Sequence, residues 1–219
     1  MKALHAGLTI VAAGLAGTAS AELIDLVDPS TGMSSGWQAE IFDPGMVDLV
    51  TDFVSIRDDV VVIEKFAEFI EIDKFTGEPV PITITFKQVA GDDDTVSRIV
   101  ITDEFIFNNT GQDWVDFENI LVDSGNAVWN PDAMATLDIT PFGSFEFLDG
   151  DTNFRVFDGV VADGDTWTPG LRSGGFVIDI DLSGDDPVIF SLKEAPSIPA
   201  PGALALLAIG GVAAVRRRR

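Results

Sequence analysis

The sequence predicts an all-β fold: a single antiparallel β-sandwich of jelly-roll-like character, with a short apolar helix expected at each end of the chain. Three observations point to it. Segments that alternate apolar and polar residues at period two recur along the middle of the chain. Segments with helical period are nearly absent there, and the strand-like runs are bounded by Gly, Asp and Pro, which turn a chain rather than extend it.

The elements follow in chain order. Residues 60–72 carry two conflicting patterns: Val62, Phe66, Phe69 and Ile70 fit one helical face, but Val60, Val61, Val62 and Ile63 form a β-branched run. Branching at Cβ disfavours a helix and suits a pleated surface, so this segment is expected to be mainly strand. Residues 82–86 alternate Ile and Thr before Phe86, and the acidic turn 91–94 separates them from strand-like runs at 98–102 and 104–107. Asn108, Asn109, Thr110 and Gly111 have the residue types of a hairpin turn, leading into a further strand over 114–122. Strands are also expected at 144–148, 153–157, 176–182 and 188–192. Residues 193–201 hold three prolines and are read as a linker. The resulting division is residues 1–21, 22–195 and 196–219.

The two ends carry sorting information. Lys2 precedes an apolar run over residues 4–16, and Ala19, Ser20 and Ala21 provide the small residues that a signal peptidase accepts. The run is too short to cross about 30 Å of hydrocarbon comfortably, so a signal helix cleaved after Ala21 is expected rather than a retained anchor. At the other end, Pro199 and Pro201 open a segment that continues from Gly202 through an Ala/Leu-rich transmembrane helix. It closes on Arg216, Arg217, Arg218 and Arg219, which are costly to move across a bilayer and mark a cytoplasmic end.

This order of Pro-x-Pro, short apolar helix and arginine cluster resembles the PEP-CTERM sorting signal recognised by exosortase in Gram-negative bacteria. The family usually has a glutamate between the prolines, where this chain has Ala200. The resemblance covers residues 198–219. It implies export, processing by an exosortase-like enzyme, passage through the membrane by the tail, and a role in extracellular polysaccharide, biofilm or envelope organisation. Residues 101–117 are also similar to a hairpin of secreted bacterial proteins that bear such tails.

Composition narrows the chemistry. Of 13 basic residues, Lys2 and the four terminal arginines lie in the end segments, leaving eight against 36 acidic ones and a net charge of −28 between them. Such a surface repels nucleic acid and anionic lipid. The chain has no Cys and no Tyr, and its one histidine, His5, belongs to the signal segment. Ser-His-Asp and Cys-His catalysis and nitrogen- or sulfur-ligated zinc are thereby excluded, leaving carboxylate chemistry and, more remotely, a Ser/Lys or Thr/Lys arrangement. No catalytic residue can be nominated, and a non-catalytic protein without an obligatory cofactor is expected.

The alternatives are a calcium-assisted carbohydrate-binding module and a carboxylate-based glycan hydrolase. Asp149, Asp151 and Asn153 place oxygen side chains at alternate positions, and Asp163 and Asp165 flank a glycine, so both loops are candidates for calcium. Neither is an EF-hand, and Asp and Gly are equally ordinary turn residues. Trp167, in a loop of Asp, Thr, Pro and Gly, is a candidate for stacking on a sugar, with burial in the core as its competing role.

Overall fold

The computed structural model describes residues 21–43, 45–170 and 173–199. The signal segment before Ala21 and the tail after Pro199, with Ala19, Pro201, Gly202 and the four arginines, lie outside the described residues. Among those described, no helix is long and apolar enough to cross a membrane.

Fourteen strands are present among the described residues. They are β1 (Glu22–Val27), β2 (Ser34–Ile41), β3 (Val47–Leu49), β4 (Ser55–Arg57), β5 (Val60–Phe69), β6 (Ile82–Gln88) and β7 (Arg98–Asn108), followed by β8 (Asp116–Val122), β9 (Ala127–Trp129), β10 (Ser144–Leu148), β11 (Asn153–Phe157), β12 (Thr166–Trp167), β13 (Phe176–Ile180) and β14 (Ile189–Ser197). One sheet runs β1-β2-β6-β14-β8-β11-β10; the other runs β3-β5-β7-β13-β9, with β12 beside β7 and β4 beside β5. Among the described residues there is one α-helical turn, Pro131–Met134, capped by the Asn130 side chain, which accepts from the Ala133 amide.

The fold is thus all-β with two layers, consistent with a β-sandwich. Aromatic side chains join the layers. Phe69 of β5 meets Trp114 at 5.2 Å and Phe117 of β8 at 5.7 Å, and Phe154 of β11 meets Phe176 of β13 at 5.5 Å. Both inner faces follow the period of two: Ile82, Ile84 and Phe86 are buried on β6, and Val61, Ile63, Ala67 and Phe69 on β5.

Four features depart from the sequence expectation. The fold is not purely antiparallel, because β5 and β7 pair in parallel. Between them the chain crosses to the other sheet as β6, which supplies the long connection that parallel neighbours need. Residues 108–111 do not close a hairpin either: β7 and β8 lie in different sheets. The turn residues reverse the chain, but Trp114 then enters the core and pairs with Val161, carrying the following strand to the opposite layer. The supposed linker is the third departure. Residues 193–197 are the second half of β14, a strand between β6 and β8. Pro196 is tolerated because β6 pairs with β14 only as far as Glu194, so at Pro196 β14 has one neighbour, β8. The domain boundary expected at Ala195 therefore falls inside a strand. Lastly, strands β1 and β2 open the fold well ahead of residues 60–72, the first strand expected from the sequence.

Candidate functional site

The sequence-predicted site residues separate into turns and core. Asp149, Gly150 and Asp151 form the β10–β11 hairpin turn, all at positive φ, and the Thr152 hydroxyl donates to the Asp149 carbonyl. The Asp151 carbonyl accepts from the Trp129 amide, and Asn153 is buried at the start of β11. Asp163 belongs to a different loop, where its carboxylate accepts from the Gly111 amide and its own amide donates to Asp113. The Asp165 carbonyl accepts from the Asn108 amide. The two acidic loops are therefore tied to different neighbours. Among the described residues, no group of three or more acidic side chains converges in a metal-holding arrangement.

Trp167 is fully buried, and its indole N–H donates to the Ile139 carbonyl at 3.3 Å. Its ring packs on Phe117 and Phe142. Trp37, Trp114 and Trp129 are buried as well. The sugar-stacking role of Trp167 is corrected accordingly: the loop that holds it folds onto β7, and burying an indole outweighs presenting it to solvent. Two open surface depressions of about 410 and 500 Å³ share Gly125 and Asn126, and Asp123, Asp181, Asp185 and Asp186 edge them.

The chemically unusual constellation lies in the core and was not legible from motifs. Lys65, Glu104 and Glu194 are each fully buried. The Lys65 ammonium donates to both oxygens of Glu194 at 2.7 Å and pairs with Glu104 Oε1. Lys65 faces inward because β5 alternates: Val61, Ile63, Lys65, Ala67 and Phe69 all point to the core. Glu194 faces inward on the same logic, after Phe190 and Leu192 on β14.

Glu104 needs a second device. Glu64 stands opposite Thr102, but Phe66 stands opposite Phe105, so β7 carries one extra residue beside Lys65. This bulge shifts the alternation from Ile99 and Ile101 inward to Glu104, Ile106 and Asn108 inward. The boundary between the two runs expected at 98–102 and 104–107 coincides with it. On the outer face, Phe66 stacks on Phe105 at 5.1 Å and covers the bulge.

Burial pushes the Glu104 carboxyl up to about 8; Lys65 pulls it back by its charge, and Glu194 adds to the rise. Burial alone would lower the Lys65 ammonium, but the two carboxylates hold it above its ordinary value. Near neutrality Glu104 is therefore protonated, and its proton leaves one cation facing one carboxylate. In the unfolded chain Glu104 titrates near 4.5, so between there and about pH 8 the folded state binds one more proton than the unfolded state. Stability is then greatest at the acid end of that window and falls as the pH rises through it. The Lys65 contribution is lost only above that window, and Asp28, held down to about 2 chiefly by the Ser30 hydroxyl, loses its contribution below it. Urea midpoints are expected to fall from pH 5 to pH 8 in the native protein and to show a shallower fall in Glu104→Gln. Equal slopes for the two proteins would sink the assignment.

A hydrolase needs one carboxyl raised in this way and an ionised partner across a substrate. Here the raised carboxyl and its neighbours are enclosed between two sheets, with no surface for a glycan chain. Comparison with known protein families, curated proteins and solved structures found no match.

Proposed function

We propose that this chain is an exported, non-catalytic protein of the cell surface or extracellular matrix of a Gram-negative-type bacterium. Its β domain, a jelly-roll-like sandwich, is delivered by a cleaved signal and sorted through the PEP-CTERM-like tail, with extracellular polysaccharide as its surroundings. The observation that carries the reading is the fit between fold and ends. Strand β1 begins at Glu22, next to the cleavage site expected after Ala21, and β14 ends at Ser197, just before Pro199. Among the described residues, the strands thus begin and end beside the two sorting segments expected from the sequence. The strongly acidic composition supports the same reading, since it keeps a protein soluble and apart once outside the cell. The buried tryptophans remove the stacking residues on which the carbohydrate-binding alternative was based.

The test is the mass and location of the mature chain in a Gram-negative host that encodes a sorting enzyme. A product beginning at Glu22, lacking Arg216 to Arg219 and exposed at or released from the surface is expected. Membrane-bound protein that keeps all four arginines would overturn the sorting step and leave a plain anchor.

A further inference from the structure

We infer that Lys65 and Glu194 are the two halves of an intramolecular amide cross-link, formed by loss of water with Glu104 as the proton-transfer group. The inference stands on the geometry of the core and does not depend on how the chain is sorted. Lys65 Nζ lies 2.7 Å from both oxygens of Glu194, so amine and carboxyl carbon are already held together without solvent between them. Well-oriented groups held this way reach effective molarities of about 10⁵–10⁸ M, which is what a condensation in water lacks. All three side chains are fully buried, so the water whose abundance normally drives the reaction backwards is excluded.

The environment also favours the product. A buried ion pair carries the desolvation penalty of two charges, whereas an amide is neutral. The atoms balance without any outside reagent. The Lys65 ammonium passes one proton to a Glu194 oxygen, giving a neutral amine and a carboxylic acid. Rotation about the Glu194 Cγ–Cδ bond presents the carbonyl face, and the N–C bond forms. Glu104, protonated near neutrality, gives its proton to the departing hydroxyl and takes one from the nitrogen. The C–O bond breaks, one water leaves, and Glu104 returns to its starting state. Glu104 Oε1 is in contact with the Lys65 ammonium, so its carboxyl stands within proton-transfer reach of the reacting nitrogen.

Glu194 rather than Glu104 is the partner because both its oxygens hold the amine and because the bond would then join layers. Lys65 is on β5 in one sheet and Glu194 on β14 in the other, 129 residues apart. Lys65 and Glu104 sit on strands already paired in one sheet. In a chain without cysteine, such a bond would provide the covalent inter-sheet tie that a disulfide provides elsewhere.

Mass spectrometry of the purified, denatured full chain tests this, with peptide mapping to account for any removal at the ends. The expected chain is lighter than its sequence by one water, and proteolysis yields a branched peptide joining Lys65 to Glu194. Lys65→Arg and Glu194→Leu are expected to restore the full mass. Glu104→Gln, which keeps shape and neutrality, is expected to slow cross-linking by about 100-fold or more. Full mass and unbranched peptides in folded native protein would overturn the proposal, whether or not any variant folds. A branch from Lys65 to Glu104 would overturn the choice of partner, and unchanged cross-linking in folded Glu104→Gln would overturn its role.

Discussion

Relative to the chain before any Lys65–Glu194 cross-link forms, Lys65→Met is expected to lower folding stability by about 3–5 kcal/mol at neutral pH, because removing one member of a buried ionic group strands the others. Methionine matches the length of the lysine stem, so little volume is lost, and the effect is electrostatic rather than a cavity. Without the ammonium, Glu104 and Glu194 face each other between the sheets with no cation among the contacts that hold them. The variant should regain stability as the pH falls towards 5, because buried Glu104 keeps its proton in the folded state across that range while the unfolded chain gives it up. The matched control is the triple replacement Lys65→Met, Glu104→Leu and Glu194→Met, which makes the site apolar. Buried ion clusters replaced in this way are often neutral or stabilising, so the triple variant should recover most of what the single one loses. Urea denaturation followed by tryptophan fluorescence measures all three. A single variant as stable as the native protein would mean that the three side chains do not share a dry core.

How much of this was legible in the sequence depends on the range of the signal. The period-two runs at 82–86, 144–148 and 153–157 correspond closely to β6, β10 and β11, because alternation and turn residues are local properties. Residues 60–69 of the stretch torn between two periods resolve as the strand β5, which opens on the β-branched run Val60 to Ile63. What the sequence did not reveal is which sheet a strand joins. The turn at 108–111 looks the same whether the next strand pairs beside the first or crosses to the opposite layer. The core site was hidden for a related reason. Hydrophobicity alone would place Phe66 inside and Lys65 outside, yet the phase set by Val61, Ile63, Ala67 and Phe69 does the reverse. A signal did exist: Lys65 and Glu194 each stand in phase with apolar neighbours, and they carry opposite charges. Glu104 could not have been found in this way, since its inward position depends on a bulge that alternation does not encode.

The acidic residues divide along the same line. Most are where Asp is expected, in turns such as Asp149 to Asp151, where positive φ is tolerated by a short polar side chain. Their number made every carboxylate look alike. Complete burial separates Glu104 and Glu194 from the rest, including the nearly buried Asp28 and Asp116, and burial is a property of the assembled sheets. Counting charges finds a solvated surface; following strand phase finds Glu194, and only the bulge in β7 adds Glu104.

Phe154→Ala is the second large effect expected, about 3–5 kcal/mol, and it tests the packing of the two layers. Phe154 is fully buried on β11 and touches rings from both sheets: Phe145 and Phe147 on neighbouring β10, and Trp129 and Phe176 across the interface. Its removal leaves a cavity that stiff neighbours cannot fill, because each of those rings is held by its own strand. The comparison residue is Phe75, which is 99% exposed on the loop after β5. Phe75→Ala should change stability by less than about 0.5 kcal/mol, although the atoms deleted are the same. The difference between the two variants isolates burial from composition. If Phe154→Ala cost no more than Phe75→Ala in urea midpoint at pH 6, β11 would not be packed against β13 and β9, and the two-layer core would be wrong at its aromatic centre.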